Sequence, residues 1–328
     1  MNGAPLLTKD AFSCIDFGVP THDPAVRTLA SQLNAVLVSL GSEVPPSLAS
    51  VFAERLAAYP GPGRRFIELF YVPAWSFLHW TKVLCVGKDD SVFSEAREAH
   101  ALSLLLHLWD DHLMDGQMAP DMVALHMRTV AWRRFRAAVD RLTRATGGKP
   151  KADGLIEAYL EAHLEETEPK DLDAFLARFL RQIGIWRVAP ALLGQMMEPA
   201  AADGLLRIFD LHAMAWRIMD DLQDARADCG RGRNTAVRLA LSDEGRALWD
   251  RVETSPDSAT AAARWSRVAE AIEARPAPLL RARIDTLLAE AVSRARLLGL
   301  AGLEAELSAA AVRRRVVKQL LRESPERT

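Results

Sequence analysis

The chain has 328 residues, of which 49% are apolar, enough to build one large hydrophobic core or two small ones. Its formal net charge of −2 argues against a nucleic-acid partner, because such partners attract strongly basic surfaces. The apolar runs are shorter than the roughly 18 to 20 residues that cross a bilayer, and the first residues lack a signal-peptide pattern. Together with three dispersed cysteines, these features predict a cytoplasmic protein without a membrane span.

Helical periodicity dominates the chain after an irregular start. Residues 1–24 are rich in proline, glycine and aspartate, and we expect them to form an irregular arm. In residues 26–40 and again in 279–292, leucine, isoleucine and valine recur three and four positions apart and form one apolar face. Strand signals are weak. The sequence therefore predicts a single all-α domain over residues 25–328, a large helical bundle of roughly ten or more helices.

The first acidic cluster follows the almost wholly apolar stretch 101–109 and reads DDHLMD. Successive residues on a helix turn by about 100°, so Asp111 and Asp115 lie about 100° and 140° from Asp110. That geometry predicts all three carboxylates on one side of a buried helix. Unpaired carboxylates there would cost roughly several kcal/mol, so they are expected to bind cations.

The second acidic cluster follows the apolar segment 205–216 and begins with DDLQD. By the same helical rule, its aspartates form a single acidic stripe. Either cluster alone fits a solvated helix end equally well, but two such clusters favour bound Mg²⁺, which prefers oxygen ligands. Opposed ions would clamp a diphosphate and stabilise its departure. The candidate metal ligands are Asp110, Asp111, Asp115, Asp220, Asp221 and Asp224.

Over about residues 50–240, the sequence resembles the superfamily of trans-isoprenyl diphosphate synthases and class I terpene synthases. DDHLMD at 110–115 is similar to the first aspartate-rich motif of that superfamily, and DDLQD at 220–224 is similar to the second. The resemblance implies the class I isoprenoid synthase fold, a prenyl diphosphate substrate and Mg²⁺, expected as three ions per site, and it leaves a homodimer open. It implies catalytic roles for Asp110, Asp111, Asp220 and Asp221.

Two basic segments extend this resemblance. GPGRRF at 61–66 looks like the N-terminal diphosphate-binding segment of the superfamily, and GRGRNT at 230–235 resembles the basic stretch after the second motif. The resemblance implies Arg64, Arg65 and Arg233 as diphosphate ligands, and we expect Arg226 to bind the diphosphate with them.

Three departures from the family pattern narrow the expected activity. Chain-elongating members carry an arginine pair shortly after the first motif, where this chain reads GQMAPDMV. They also have glutamine three residues before the second motif, where this chain has Arg217. The first motif has the DDxxxD spacing of many terpene cyclases. The resemblance thus predicts a terpene synthase, a lyase that ionises and cyclises a linear prenyl diphosphate of 15 or 20 carbons.

Two alternatives to the cyclase remain open. One is a prenyltransferase, which would join an allylic diphosphate to isopentenyl diphosphate or to another acceptor. The other is a non-catalytic subunit that modulates a true synthase, although such a subunit need not retain both aspartate clusters.

Helical stacking places further residues beneath the aspartates. Side chains four or eight positions before an aspartate share its face, and neighbours on those turns should line a hydrocarbon cavity. The expected pocket residues are Ser103, Leu106, His107, His212 and Trp216. A single buried tryptophan or histidine is more often a packing residue. Gly184 and Pro190 should also interrupt a helix, either beside the substrate or as a packing kink.

Overall fold

The computed structural model describes residues 24–59, 66–70, 72–85, 89–231, 234–251 and 259–310. Within these ranges every regular element is helical, which confirms the predicted all-α class. The predicted arm lies outside the described residues except for Pro24, where the first helix begins. None of the described helices combines the length and hydrophobicity that a bilayer crossing requires.

The described residues form fourteen α-helices and four short 3-10 turns. The α-helices, in chain order, are α1 (Pro24–Val38), α2 (Pro46–Ala58), α3 (Val72–Leu84), α4 (Asp90–Met114), α5 (Met122–Thr146), α6 (Lys149–Leu164), α7 (Leu172–Gln182), α8 (Val188–Leu193), α9 (Pro199–Gln223), α10 (Ala225–Asp228), α11 (Ala236–Ala240), α12 (Asp243–Asp250), α13 (Ala259–Ala274) and α14 (Pro276–Leu297). The 3-10 turns are Ser39–Glu43, Phe66–Leu69, Gly184–Arg187 and Gly194–Met196.

Helices α4 and α9 form the centre of the bundle. Helix α4 packs against α1, α3, α5 and α8, and α9 packs against α3, α7, α11 and α14. Because α4 is enclosed on all sides, its residues Ala101 to Leu106 are buried around the whole helix. The apolar stretch before the first acidic cluster is therefore a core helix, as its sequence indicates.

Both central helices end at an acidic cluster. Helix α4 ends at Met114, the Asp115 amide donates to the Asp111 carbonyl at 2.9 Å, and Gly116 follows with φ of 68°. That left-handed conformation favours glycine and turns the chain away from the helix axis. Helix α9 ends at Gln223, with Asp224 as its C-cap. The last aspartates of the two motifs, Asp115 and Asp224, are thus exposed where the helices reach the surface.

The predicted helix interruption near Gly184 is confirmed. Helix α7 ends at Gln182, and the turn Gly184–Arg187 leads into α8. A Cβ atom at Gly184 would lie 2.9 Å from the Leu155 carbonyl oxygen of α6, so only glycine allows this close approach. The turn carries Trp186 into the interior of the bundle, where it is 4% exposed.

Candidate active site

A cavity of about 400 Å³ lies between the C-terminal halves of α4 and α9. Its mouth, where side chains are more exposed, is defined by Asp111, Asp115, Asp220, Asp224 and Asp228. Its aromatic wall consists of Phe70, Phe175, Phe179, Trp186, Phe209 and Trp216. The volume falls within the range of about 300 to 1,000 Å³ that is typical of small-molecule sites. A ligand that fills this cavity would have a charged end and an apolar end.

Asp110 does not line the cavity, in contrast to the sequence-based expectation. Both of its carboxylate oxygens accept hydrogen bonds from Arg128 of α5, through Nε and through Nη2, the latter at 3.0 Å. The Tyr159 hydroxyl of α6 donates to Oδ2 at 2.8 Å. Burial, and then the negative charge of Asp110, raise the pKa of Tyr159 well above its usual value. Asp110 therefore joins three helices.

Helical geometry explains why the adjacent aspartates differ. Asp111 and Asp115 are four residues apart and diverge by about 40°, so both face the cavity. Asp110 lies about 100° from Asp111 and about 140° from Asp115, which turns it towards α5 and α6. The expectation that all three share a face treated a spread of 140° as one side of the helix.

Asp221 lines the cavity, but each of its carboxylate oxygens already has a partner. Oδ1 accepts from Arg217 Nη2 at 2.9 Å, and Oδ2 accepts from the Ala236 amide at 2.6 Å. The second contact caps the first turn of α11, where Thr235 is the N-cap residue. Asp221 is 1% exposed and fixes α11 against the end of α9.

Burial raises the pKa values of the acids at the end of α9. The pKa of Asp220 is raised to about 7 and that of Asp221 to about 6, chiefly by desolvation, which Arg217 opposes. Burial also raises the pKa of Asp228. Burial therefore disfavours the ionised form of these carboxyl groups. A cation bound beside them would stabilise that ionised form.

The cavity lining suits a hard divalent cation whose coordination shell is completed by a molecule bound in the cavity. Among the described residues, seven carboxylates line the cavity, namely the five at the mouth together with Glu168 and Asp221, against three arginines. Within the described ranges, no three acidic, histidine or cysteine groups converge as a preformed metal site. Mg²⁺ commonly binds one or two carboxylates, waters and substrate phosphate oxygens, so this donor set fits Mg²⁺ together with a phosphorylated ligand.

The predicted pocket residues divide into two groups. His107, His212 and Trp216 line the cavity, whereas Ser103 and Leu106 are fully buried and do not. Burial lowers the pKa of His107 to about 3 and that of His212 to about 4, so both imidazoles are neutral.

Trp186 lines the cavity, whereas Ser103, which was expected to line it, does not. Its ring lies edge-on to His107, with centroids 4.7 Å apart, and contacts Phe70 at 5.7 Å. Burial lowers the pKa of His100 to about 4, and a hydrogen bond with the backbone of Trp186 opposes this shift. The backbone of Trp186 therefore also lies close to His100. The turn that carries Trp186 thus packs against α4 near His100 and His107.

The arginines that line the described part of the cavity are not among the four expected diphosphate ligands. Arg64, Arg65 and Arg233 lie outside the described residues, and Arg226 is exposed and does not line the cavity. The arginines that line it are Arg178, Arg217 and Arg231. Arg217 was detectable from sequence, because it precedes Asp220 and Asp221 by three and four positions on one helix.

Arg178 had no comparable signal in the sequence. Its guanidinium donates to the backbone carbonyls of Thr167 at 3.1 Å and Glu165 at 2.5 Å, and thereby holds the segment before Glu168 against the cavity. Such contacts join α7 to the loop that precedes it, and no spacing rule predicts them.

Neither a family model nor a curated protein matches the sequence. Solved structures do match, and they confirm the fold that the sequence resemblance implied: the chain has the all-α fold of trans-isoprenyl diphosphate synthases. Geranylgeranyl pyrophosphate synthase from Corynebacterium glutamicum has a TM-score of 0.69 and 15% identity, over 93% of this chain and 98% of that one.

Two further structures agree with this assignment of the fold. Geranylgeranyl pyrophosphate synthetase from Pyrococcus horikoshii has a TM-score of 0.62 and 12% identity, over 94% of this chain and 98% of the other. Polyprenyl synthetase from Streptomyces coelicolor has a TM-score of 0.62 and 14% identity, over 87% and 97% of the two chains. At these identities the likeness concerns the fold.

Proposed function

We propose that the chain is a Mg²⁺-dependent enzyme that acts on a prenyl diphosphate. The observation that carries this proposal is the polarity of one cavity: carboxylates from the ends of α4 and α9 form its mouth, and buried aromatic rings form its wall. A prenyl diphosphate has the same polarity, with a charged head and a hydrocarbon tail. The diphosphate would lie at the mouth and the prenyl chain along the aromatic wall.

Residues of both helices would hold the charged head. Asp111 and Asp115 on one side, and Asp220 and Asp224 on the other, would bind Mg²⁺, which supplies positive charge that stabilises a departing diphosphate. The aromatic wall would exclude water from the prenyl chain. Its ring faces would also stabilise the allylic cation that remains after the diphosphate departs.

We favour transfer of the prenyl group to a second molecule over cyclisation. The solved structures of the same fold carry the names of polyprenyl and geranylgeranyl synthases, which are prenyltransferases. These names favour a prenyltransferase over the terpene cyclase that the DDxxxD spacing first suggested. Cyclisation stays the second candidate, because the sequence after Asp115 lacks the arginine pair of chain-elongating enzymes.

The test is incubation of the purified chain with C10, C15 and C20 allylic diphosphates, with and without isopentenyl diphosphate, followed by mass spectrometry. A longer linear diphosphate that requires the second substrate supports transfer. A cyclic hydrocarbon or alcohol from one substrate supports cyclisation. The absence of Mg²⁺-dependent turnover on every substrate would overturn the proposed function and favour a non-catalytic subunit.

A matched pair of variants links any activity to the cavity. Asp111→Asn removes one carboxylate at the mouth and should lower turnover by about two orders of magnitude or more, because metal-assisted departure supplies much of the barrier reduction. Asp203→Asn makes the same chemical change at an exposed site near the start of α9 and should leave turnover unchanged.

A further inference from the structure

Arg217 lies where the acidic mouth of the cavity meets the aromatic wall. Its Nη2 atom is 2.9 Å from Asp221 Oδ1, and its Nη1 atom is 3.6 Å from Asp220 Oδ2. The guanidinium also lies over the rings of Phe175 and Phe179, 5.5 and 5.6 Å from their centroids. The side chain lines the cavity and is 28% exposed there.

The charge of Arg217 acts on acids of both central helices. Burial would lower its pKa, but Asp221 and Asp220 of α9, followed by Asp111 of α4, together raise it above its usual value. The guanidinium is therefore always positive, and it lies within electrostatic reach of both walls of the mouth.

The other two arginines of the cavity are placed differently. Arg178 is engaged with the backbone carbonyls of Glu165 and Thr167. Arg231 is 54% exposed and lies 3.8 Å from Asp228 at the rim. Of the three arginines that line the described part of the cavity, Arg217 is the one that contacts both aromatic rings and acids of the second cluster.

We infer that Arg217 is a direct ligand of the substrate diphosphate and stabilises it as it leaves, an inference that rests on the proposed function. A guanidinium has five N–H donors, more than Asp220 and Asp221 engage. Arginine also binds phosphate in a bidentate manner. When the bond between the prenyl carbon and the bridging oxygen breaks, the electron pair moves to that oxygen. Arg217 donates hydrogen bonds to the leaving diphosphate, and no proton is transferred.

This position also affects the binding of Mg²⁺. A cation beside Asp220 and Asp221 repels a divalent ion at the same carboxylates, and both Asp221 oxygens are already engaged. Arg217 thus supplies part of the positive charge that Mg²⁺ would otherwise provide. Its removal should have effects of opposite sign: tighter binding of Mg²⁺ to the protein alone, but weaker binding of diphosphate in the presence of Mg²⁺.

Isothermal titration calorimetry separates these two effects. MgCl₂ is titrated into the wild type and Arg217→Gln, and inorganic diphosphate is then titrated at saturating Mg²⁺. We expect Arg217→Gln to bind Mg²⁺ several-fold more tightly, and to bind diphosphate about tenfold to hundredfold more weakly. Arg207→Gln is the matched control on the same helix, because Arg207 is exposed and does not line the cavity, and it should match the wild type.

A second variant covers the case in which Arg217→Gln fails to fold. Arg217→Lys keeps the positive charge beside Asp221 but loses the forked donor geometry, so it should fold and still bind diphosphate more weakly than the wild type. Circular dichroism and thermal unfolding establish folding. Wild-type diphosphate affinity in Arg217→Lys, or in folded Arg217→Gln, overturns the inference.

The same titrations distinguish failure of this inference from failure of the proposed function. A wild type that turns over prenyl diphosphates while Arg217 variants keep full diphosphate affinity refutes only the role of Arg217. A wild type that binds no diphosphate in the presence of Mg²⁺ refutes both.

Discussion

Arg128 of α5 donates hydrogen bonds to both carboxylate oxygens of Asp110. The first aspartate of the first cluster therefore contacts a neighbouring helix and does not line the cavity. The pair is completed by Tyr159, and Asp110 is 6% exposed. Asp111, its neighbour in sequence, lines the cavity instead. Two adjacent aspartates in one motif therefore have different environments.

We expect Asp110→Asn to affect stability more than metal binding. It removes the charge that pairs with Arg128 and should lower the free energy of unfolding by about 1 to 3 kcal/mol. The loss stays within this range because Arg128 is 36% exposed, so water partly solvates the unpaired guanidinium. Asp111→Asn should instead weaken Mg²⁺ binding and leave stability almost unchanged. Urea denaturation and calorimetry measure the two effects. Loss of Mg²⁺ binding in a fully stable Asp110→Asn would contradict this separation.

Trp186 should limit the length of the prenyl chain. Because its ring lines the cavity and contacts His107 and Phe70, Trp186→Ala should enlarge the cavity and shift preference towards longer allylic diphosphates. Competition assays with C10, C15 and C20 substrates test this expectation. An unchanged substrate profile in folded Trp186→Ala would rule out Trp186 as the limit on chain length.

Ser103 should tolerate a large side chain poorly. It is fully buried, and its hydroxyl donates to the His100 carbonyl at 2.8 Å, so Ser103→Phe should destabilise the fold by about 1 to 3 kcal/mol through overpacking.

The raised pKa of Asp220 should make part of the stability depend on pH. In the unfolded chain an aspartate ionises near pH 4, whereas in the folded protein Asp220 does so near pH 7. The unfolded state therefore binds fewer protons between these values, and the contribution of Asp220 to stability falls as pH rises from about 4 to about 7. Buried His100, His107 and His212 have lowered pKa values and act in the opposite direction.

The difference between wild type and Asp220→Asn isolates this contribution. In chelator, the wild type should lose stability relative to Asp220→Asn between pH 4.5 and 7.5, as measured by urea denaturation at each pH. Mg²⁺ at pH 7.5 should restore stability to the wild type more than to the variant, since the ion compensates for the buried carboxylate. A difference that is constant over this pH range would show that Asp220 ionises normally in the fold.

Gly184 should be required for the close approach of the 3-10 turn to α6. In Gly184→Ala the new Cβ would lie 2.9 Å from the Leu155 carbonyl oxygen, which cannot move without distorting α6. We expect a loss of about 1 to 3 kcal/mol and a displaced Trp186. Gly154→Ala is the matched control: it lies on the same helix as Leu155, has open space at Cβ, and should stabilise by about 0.5 to 1 kcal/mol. Equal stability of the two variants would argue against the close approach.

The sequence by itself determined the features that depend on local geometry. The apolar residues before Asp110 and before Asp220 indicated buried helices, because a helix that is apolar on all sides has to be enclosed. Gly184 indicated a break. The two aspartate motifs indicated the fold, which the solved structures confirm. The single domain, the homodimer, the cytoplasmic location and the roles of Arg64, Arg65, Arg226 and Arg233 remain predictions.

Only the tertiary structure decided which side chains meet. The helical period gives the angle between Asp110 and Asp111, but not which neighbouring helix each angle faces. Asp110 meets Arg128 and Tyr159, which are 18 and 49 residues away in the chain. Trp186 likewise reaches His107 because it lies on the turn Gly184–Arg187, which packs against α6. Such contacts depend on how separate helices pack, and a pattern that repeats every 3.6 residues carries no information about distant partners.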